Sequence, residues 1–287
     1  MNIAVFADVH GRILLALKLC ARWQRETGEQ LDLILQAGDL GTFPDLARAD
    51  SATKRHAERD PSELGFLEHF VTPRPEVKRV LEELRCNLIY VRGNHEDHEW
   101  LDHLERQASG GPIFSVDPYK RLWCLKTGVP YTFEANGERI TILGVGRIGG
   151  PPEPKRLKPT YIQPYERERL NRLRDVSFDV LLTHDSARDQ VFPGSGIDEI
   201  GLLIDLYRPS YHFFGHYDLM RLSQTSANGV TRLEKLVDLI WDRHDRGQAL
   251  EASSMGLLRW HSREQHSFEM INAPWFREYT PYTWTHL

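Results

Sequence analysis

Acidic, amide and imidazole side chains recur directly after short apolar runs of this sequence. They form five segments: Asp8-Val9-His10, Gly38-Asp39, Gly93-Asn94-His95-Glu96, Thr183-His184-Asp185 and Gly215-His216-Tyr217-Asp218. Because strand ends at one edge of a layered α/β sheet meet where ligands bind, we expect these side chains to converge. A single segment would be weak evidence, since Asp and Asn are common turn formers and helix caps. Five in succession indicate a shared site.

The donor types in these segments favour divalent metal ions. A carboxylate such as Asp39 can bridge two cations, and imidazoles with an amide oxygen suit manganese, iron, zinc or nickel. The three cysteines, Cys20, Cys86 and Cys124, are widely spaced, so neither a disulfide framework nor a thiolate zinc site is expected. Two cations about 3.5 to 4 Å apart can hold a phosphate and lower the pKa of a bridging water. The nucleophile would then be metal-bound hydroxide.

The five segments resemble the motifs of the calcineurin-like metallophosphoesterases, which run D-x-H, G-D, G-N-H-E/D, H and G-H-x-H in this order. The resemblance covers roughly residues 8–218. The ligands that it implies are Asp8 and His10 for a first metal, Asp39 as the catalytic bridge, and Asn94, His184 and His216 for a second metal. We expect two divalent ions, manganese by preference, with iron, zinc or nickel as alternatives. The resemblance also implies a layered metallophosphoesterase sandwich.

Asp218 departs from the family pattern, which usually has a second His at this position. It lies two residues after His216 and therefore on the same side of an extended segment. As a hard oxygen donor it would shift the first site toward manganese or magnesium and away from zinc. The alternatives are that Asp218 points elsewhere and a water fills the position, or that the first site is often empty.

Further residues are predicted to assist the metals. The resemblance assigns His95 as the proton donor to the leaving oxygen, a step worth about 10²- to 10⁴-fold in rate. Glu96 and Asp185 are interpreted as groups that orient metal-binding imidazoles. Arg147, in a glycine-rich run, is interpreted with equal weight as a phosphate-binding or an ordinary solvated arginine.

Histidines that follow no apolar run are interpreted as surface or packing residues. They are His56, His69, His103, His244, His261, His266 and His286. The roles of His98 and His212 stay open.

The elements that would position these residues alternate between strands and helices, a pattern typical of an α/β fold with two mixed sheets flanked by helices. Strands are predicted over 2–7, 31–36, 88–91, 180–183 and 211–214, and helices from about 14 to Gly28 and over 75–85, 165–174 and 197–207. Asn136-Gly137 predicts an antiparallel hairpin between 129–134 and 139–145. Residues 149–154 are predicted to form a loop.

Two regions are harder to interpret. The polar insertion around 42–73 carries many charges between Asp45 and Glu63, which suits one or two exposed helices or a mobile flap. Toward the C-terminus, the spacing of Leu233, Leu236, Val237 and Ile240 is helical, whereas 256–260 and 267–271 read as strands. We expect these strands to complete the second sheet of a single domain spanning 1–287.

Length and composition fit a globular protein with a sizeable core. The 287 residues are 40% hydrophobic and 27% charged, and no apolar run reaches the roughly 18 residues that a membrane span needs. Met1 leads directly into a strand-like run without the features of a signal peptide, so we expect a cytoplasmic protein with no membrane partner. The formal net charge of -5 disfavours a broad nucleic-acid surface but allows a local basic groove. The oligomeric state is not indicated.

The sequence therefore predicts a metal-dependent phosphoester hydrolase, a phosphodiesterase or phosphomonoesterase acting on a small molecule or a nucleic acid. Gly38-Asp39-Leu40-Gly41 lacks the continuation typical of Ser/Thr protein phosphatases. One alternative is a nucleic-acid phosphodiesterase, because the order of features is also similar to that of RNA lariat debranching enzymes, which usually carry Cys where this chain has Asp8. Another is a non-catalytic metal-binding scaffold. His95 favours the hydrolase, because a scaffold needs no proton donor.

Overall fold

Two mixed β-sheets pack face to face and carry helices on their outer sides. The computed structural model of the chain describes residues 1–108, 110–151, 156–218, 221–241, 249–250 and 253–287. Its strands are β1 (Asn2–Phe6), β2 (Leu33–Gln36), β3 (Asn87–Tyr90), β4 (Ile113–Ser115), β5 (Leu122–Leu125), β6 (Tyr131–Ala135), β7 (Glu138–Val145), β8 (Val180–Thr183), β9 (Tyr211–Phe214), β10 (Leu222–Thr225), β11 (Arg232–Lys235), β12 (Gly256–Trp260) and β13 (His266–Met270). Its α-helices are α1 (Ile13–Thr27), α2 (Ser51–Ala57), α3 (Gly65–His69), α4 (Pro75–Leu84), α5 (His98–Gln107), α6 (Pro164–Asn171) and α7 (Asp198–Tyr207). Leu46–Arg48, Pro61–Leu64 and Pro274–Glu278 form short 3-10 helices. The predicted fold class is confirmed.

Parallel strands occupy the centre of each sheet. Within the ranges given above, one sheet has seven strands in the order β13-β12-β1-β2-β3-β5-β4 and the other has six in the order β10-β11-β9-β8-β7-β6. Pairing is parallel from β1 through β2 and β3 to β5, and from β11 through β9 and β8 to β7. Parallel strands are normally covered on both faces, which explains why β1, β2, β3, β5, β8 and β9 are mostly apolar.

A shared core fills the space between the two sheets. Val5, Leu35, Ile142, Leu182 and Phe213 contribute to it from β1, β2, β7, β8 and β9. The other face of the seven-stranded sheet packs on α1, α4 and α5. The other face of the six-stranded sheet packs on α6 and α7. The strands are thus held on both sides, and their ends form a rigid base for polar side chains.

Local sequence signals are confirmed at the hairpin and at the first helix. Asn136 and Gly137 join β6 to β7 with φ angles of 54° and 77°, the left-handed geometry of a tight two-residue turn. Gly28 ends α1 with φ 72°, as expected for a glycine that closes a helix.

The segment from Leu233 to Ile240 is not a helix, contrary to the prediction. Its first residues belong to β11, which pairs in parallel with β9. A helical spacing over so short a run is weak, and pairing with a neighbouring strand outweighs it.

The C-terminal strands divide between the two sheets. β10 and β11 extend the six-stranded sheet, but β12 and β13 extend the seven-stranded sheet beside β1. The expectation that 256–260 and 267–271 complete the second sheet is therefore wrong. Leu257 and Leu258 explain this placement, because they point to opposite faces of the sheet and are both fully buried. Such a strand needs a position that is covered on both sides.

The polar insertion folds into helices that lie against the strand ends. It contains α2, α3 and two 3-10 helices, so the helical alternative is the one found. Phe66 and Phe70 of this region are buried in the core. Arg12 holds it through Asp60 and Glu63, with Nη2 to carboxylate distances of 2.7 and 2.9 Å.

Parts of two sequence interpretations lie outside the described residues: positions 152–154 of the predicted loop, and His244. Among the described helices, none is both long enough and apolar enough to cross a bilayer.

Candidate metal centre and active site

The predicted ligands converge where the parallel strands of both sheets end. Asp8 follows β1, Asp39 follows β2 and Asn94 follows β3 in the seven-stranded sheet, while His184 and His216 follow β8 and β9 in the other. A backbone hydrogen bond holds the loops after β1 and β2 side by side, because the Asp8 N–H donates to the Gly38 carbonyl at 3.1 Å. The two sheets thus contribute to one site.

Contacts between side chains from different sheets close the group. His184 Nε2 lies 3.1 Å from Asn94 Oδ1 and 3.3 Å from Asp39 Oδ2, and its Nδ1 lies 3.0 Å from the Ala37 carbonyl. The backbone N–H of His216 donates to both carboxylate oxygens of Asp8, at 3.2 and 3.1 Å. Asp8, Asp39 and His184 each offer a ligand atom within 4.8 Å of the others, close enough to hold one metal ion.

Asp39 occupies the middle of the group. Its Oδ2 lies 4.0 Å from His10 Nε2 and 3.3 Å from His184 Nε2, and these two rings are the predicted ligands of different metals. Its Oδ1 accepts the His95 N–H at 2.7 Å. A carboxylate between two imidazoles is well placed to ligate a metal ion on each side.

The backbone at the ligands adopts an uncommon conformation. Asp8, His10, Asp39 and His216 have φ angles of 47°, 45°, 55° and 69°, a left-handed region that residues with a Cβ seldom occupy. Such conformations cost of order 1 to 3 kcal/mol each and tend to cluster at functional sites. Here they turn four ligand side chains inward at strand ends.

Glycines of the motifs leave room for the ligands. A Cβ added at Gly38 would overlap the His184 ring, one at Gly93 would overlap Asp39 Oδ1, and one at Gly215 would overlap Asp8 Oδ2. Each of these glycines belongs to a different strand end from the ligand that it accommodates. Each motif glycine therefore leaves space for a side chain that comes from another strand end.

Gly93→Ala is accordingly expected to displace Asp39 and to lower both Mn²⁺ affinity and Tm, with about 1 to 3 kcal/mol lost to overpacking. Gly201→Ala, on α7, is the matched control, because its Cβ would meet only the Ala187 Cβ at 3.7 Å. Calorimetric titration with Mn²⁺ and thermal unfolding would measure both effects. Wild-type Mn²⁺ affinity in Gly93→Ala would show that this close approach is not needed.

The imidazoles of the group differ in their pKa values. Burial lowers the pKa of His10 to about 4 despite the charge of Asp39, and burial with the nearby His184 charge lowers the pKa of His216 to about 4. Burial also opposes the charge on His184, but Asp39 and Asp8 outweigh it and raise its pKa to about 10. Neutral imidazole is the form that binds metal. His10 and His216 are thus ready to ligate, and a cation would displace a proton from His184.

His95 is oriented by a residue of the insertion. Its Nδ1 lies 2.8 Å from Asp50 Oδ2, and Asp50 is itself fixed because it caps α2 by accepting the N–H groups of Ala52 and Thr53. Burial lowers the pKa of His95, but the bond to Asp50 and the charge of Asp39 outweigh it and raise the pKa to about 9. His95 is therefore protonated near neutral pH. No local sequence pattern points to Asp50, because its contact depends on how the insertion folds.

Glu96 and Asp185 support backbone and a tyrosine rather than imidazoles. Glu96 accepts the N–H groups of Leu40 and Thr42 at 2.9 and 2.7 Å, which fixes the loop after Asp39. Asp185 accepts the Gly149 and Ser186 N–H groups at 2.7 and 2.8 Å and the Tyr217 hydroxyl. These contacts correct the prediction that Glu96 and Asp185 orient metal-binding rings, since the His184 ring contacts the Ala37 carbonyl and the His95 ring contacts Asp50.

Arg147 is neither a phosphate-binding arginine of this site nor a solvated one. It is fully buried and pairs with Glu166 at 3.0 Å and with Asp102 at 2.6 Å. The two histidines whose roles the sequence left open are buried as well. His212 Nε2 lies 2.8 Å from Thr183 Oγ1, and His98 is buried at the start of α5. A buried charge needs partners, and those of Arg147 lie away from the ligands.

A cavity of about 710 Å³ lies over the ligands. Its walls include side chains to which the sequence assigned no role in the site, namely Arg12, Ala52, Thr53, His56, Glu63, Val237, Asp238, Ile240 and Trp241. Asp238 comes shortly after strand β11 and directly after Leu236 and Val237, but the helical interpretation of that segment hid this signal. Asp218 also lines the cavity and is exposed.

Comparison with known proteins gives a family match. The model of the calcineurin-like phosphoesterase family matches residues 1–218, which contain all five strand-end segments. No curated protein sequence matches the chain.

Solved structures show a similar fold. A protein of Thermus thermophilus is 16% identical with a TM-score of 0.50, over 94% of this chain and 98% of that one. A second structure is 15% identical with a TM-score of 0.53, over the same shares of 94% and 98%. An archaeal phosphodiesterase is 11% identical over 94% of this chain and 100% of that one, with a lower TM-score of 0.38. These likenesses concern the fold alone.

Proposed function

The chain belongs to the calcineurin-like phosphoesterase family, and we propose that it is a metal-dependent hydrolase of phosphoester bonds. The observation that carries the proposal is the convergence of Asp8, His10, Asp39, Asn94, His184 and His216 beneath one cavity, with His95 beside them. The proposal includes two divalent ions, by preference manganese, with Asp39 between them. Bound there, such ions would neutralise phosphate charge and activate water.

The protein's own residues would position the substrate and move a proton. The buried carboxylates and imidazoles come from strand ends held on both faces, so they need little rearrangement when substrate binds. His95 lines the cavity and is protonated near neutral pH, because its pKa is raised to about 9. It would give this proton to the leaving oxygen, and Asp50 would hold the ring in place.

The walls of the cavity favour a compact substrate over a nucleic-acid strand. Among the described residues that line it, Arg12 is the only Lys or Arg, and its guanidinium is already paired with Asp60 and Glu63. Affinity for a nucleic-acid backbone depends on several cationic contacts. A nucleic-acid phosphodiesterase similar to the RNA lariat debranching enzymes is therefore the less favoured alternative. The cytoplasmic location stays a prediction.

Hydrolysis of two generic aryl esters would test the proposal. Metal-free protein should hydrolyse p-nitrophenyl phosphate or bis(p-nitrophenyl) phosphate after addition of Mn²⁺, and a chelator should reverse this. The ratio of the two rates would give the preference for monoester or diester. No turnover with manganese, nickel, iron or zinc would contradict the proposal, and bound metal without turnover would support the scaffold alternative.

A further inference from the structure

The chain between Leu236 and Leu239 connects the two sheets at the mouth of the cavity. Leu236 N–H still donates to the Phe214 carbonyl of the six-stranded sheet at 2.9 Å. Asp238 then forms a parallel bridge with Ala7, and the Leu239 N–H donates to the Asp8 carbonyl at 3.2 Å. This segment, 236–239, therefore lies directly beside the strand end that carries the first predicted ligand.

The Asp238 side chain turns into the site from this position. It is half-buried and lines the cavity together with Asp8, His10, Asp39 and Asp218. Asp238 lies on the Asp8 side of the group, because its backbone pairs with Ala7. That is the side of the first predicted metal, for which Asp8, His10 and Asp39 supply three ligands.

Several carboxylates gather around Asp238. Asp8, Asp39 and Asp218 line the same cavity as Asp238. Lys235, three residues before Asp238, is buried and interacts electrostatically with Asp8, Asp218 and Asp238. Several carboxylates around one partly buried point are costly unless cations neutralise them.

We infer that Asp238 is a further carboxylate ligand of the first metal, beside Asp8, His10 and Asp39, and that it adapts this position to a hard divalent cation such as Mn²⁺. The inference rests on the proposed function. Asp238 is half-buried and held by the bridge to Ala7, whereas Asp218 is exposed at the cavity mouth, so Asp238 is the better fixed of the two donors. Lys235 would limit the excess negative charge that a site with so many carboxylates carries.

Metal binding to matched variants tests the inference. Metal-free wild type, Asp238→Asn, Asp238→Glu and the control Asp205→Asn, an exposed position of α7, would be titrated with Mn²⁺ by calorimetry and analysed for bound metal after dialysis. We expect two ions in wild type and in Asp205→Asn. Asp238→Asn should keep one ion and bind the other at least about tenfold more weakly. Asp238→Glu, which retains a carboxylate, should recover most of this loss.

Thermal unfolding separates a ligand from a structural residue. Asn in place of Asp238 removes a like charge from the metal-free site, so the metal-free Tm should equal or exceed that of wild type, while the rise in Tm caused by Mn²⁺ should shrink. Two ions bound with wild-type affinity by Asp238→Asn would overturn the inference alone. So would a metal-free Tm lowered equally in the Asn and Glu variants. A wild-type protein that binds no metal would overturn the proposed function as well.

Discussion

Asp39→Asn is expected to reduce the kcat/KM for aryl phosphoesters by well over about 100-fold, since even changes outside the coordination sphere typically cost 10- to 100-fold. Asp39 lies between His10 and His184, the ligands assigned to different metals, at 4.0 and 3.3 Å. An amide has a single carbonyl oxygen and no charge, so it bridges two cations poorly. Both metals should therefore bind more weakly.

The substitution leaves the fold largely in place, because an amide oxygen can still accept the His95 N–H that Asp39 accepts at 2.7 Å. Asp205→Asn, the same chemical change at an exposed position of α7, should have wild-type rate and metal content. Rates would be measured with saturating Mn²⁺ and metal content by elemental analysis. An Asp39→Asn protein with wild-type activity would mean that the bridge is assigned to the wrong residue.

His95→Ala is expected to retain metal and to lose about 10²- to 10⁴-fold in rate, the range typical of general acid catalysis. The loss should be greatest for esters with poor leaving groups, because these need protonation in the transition state. A series of aryl esters with leaving groups of increasing pKa measures this dependence. An equal loss for every leaving group would indicate that His95 positions the substrate instead.

Asp50→Asn tests the role of His95 as proton donor by changing the residue that contacts its ring. The carboxylate accepts a hydrogen bond from the charged ring at 2.8 Å and helps to raise the pKa of His95 to about 9. Without this charge the pKa of His95 falls, so the proton is lost at a lower pH. The alkaline limb of the pH–rate profile should accordingly move to lower pH, while metal content stays unchanged. An unmoved limb would separate Asp50 from the proton transfer.

Most of the site could be predicted because its signals are local. Asp8, Asp39, Asn94, His184 and His216 all lie within a few residues after an apolar run, and a parallel sheet brings such strand ends together. The alternation of strands and helices likewise predicted the layered fold, and Asn136-Gly137 predicted its hairpin.

The residues that were missed depend on contacts between distant parts of the chain. Asp50 reaches His95 only because α2 folds over the strand ends. Asp238 was hidden because apolar residues around it repeat with helical spacing, whereas pairing of β11 with β9 makes the segment extended. Arg147 was misjudged because nothing local distinguishes a buried arginine, paired with Glu166 and Asp102, from one that meets solvent or phosphate.

Anomalous diffraction from crystals grown with Mn²⁺ tests the central claim, that Asp39 joins two adjacent divalent ions in this cavity, most directly. The account predicts two manganese peaks about 3.5 to 4 Å apart, one beside Asp8 and His10, the other beside Asn94, His184 and His216, with Asp39 touching both. A single peak that Asp39 does not touch, or no peak among these residues, would contradict it.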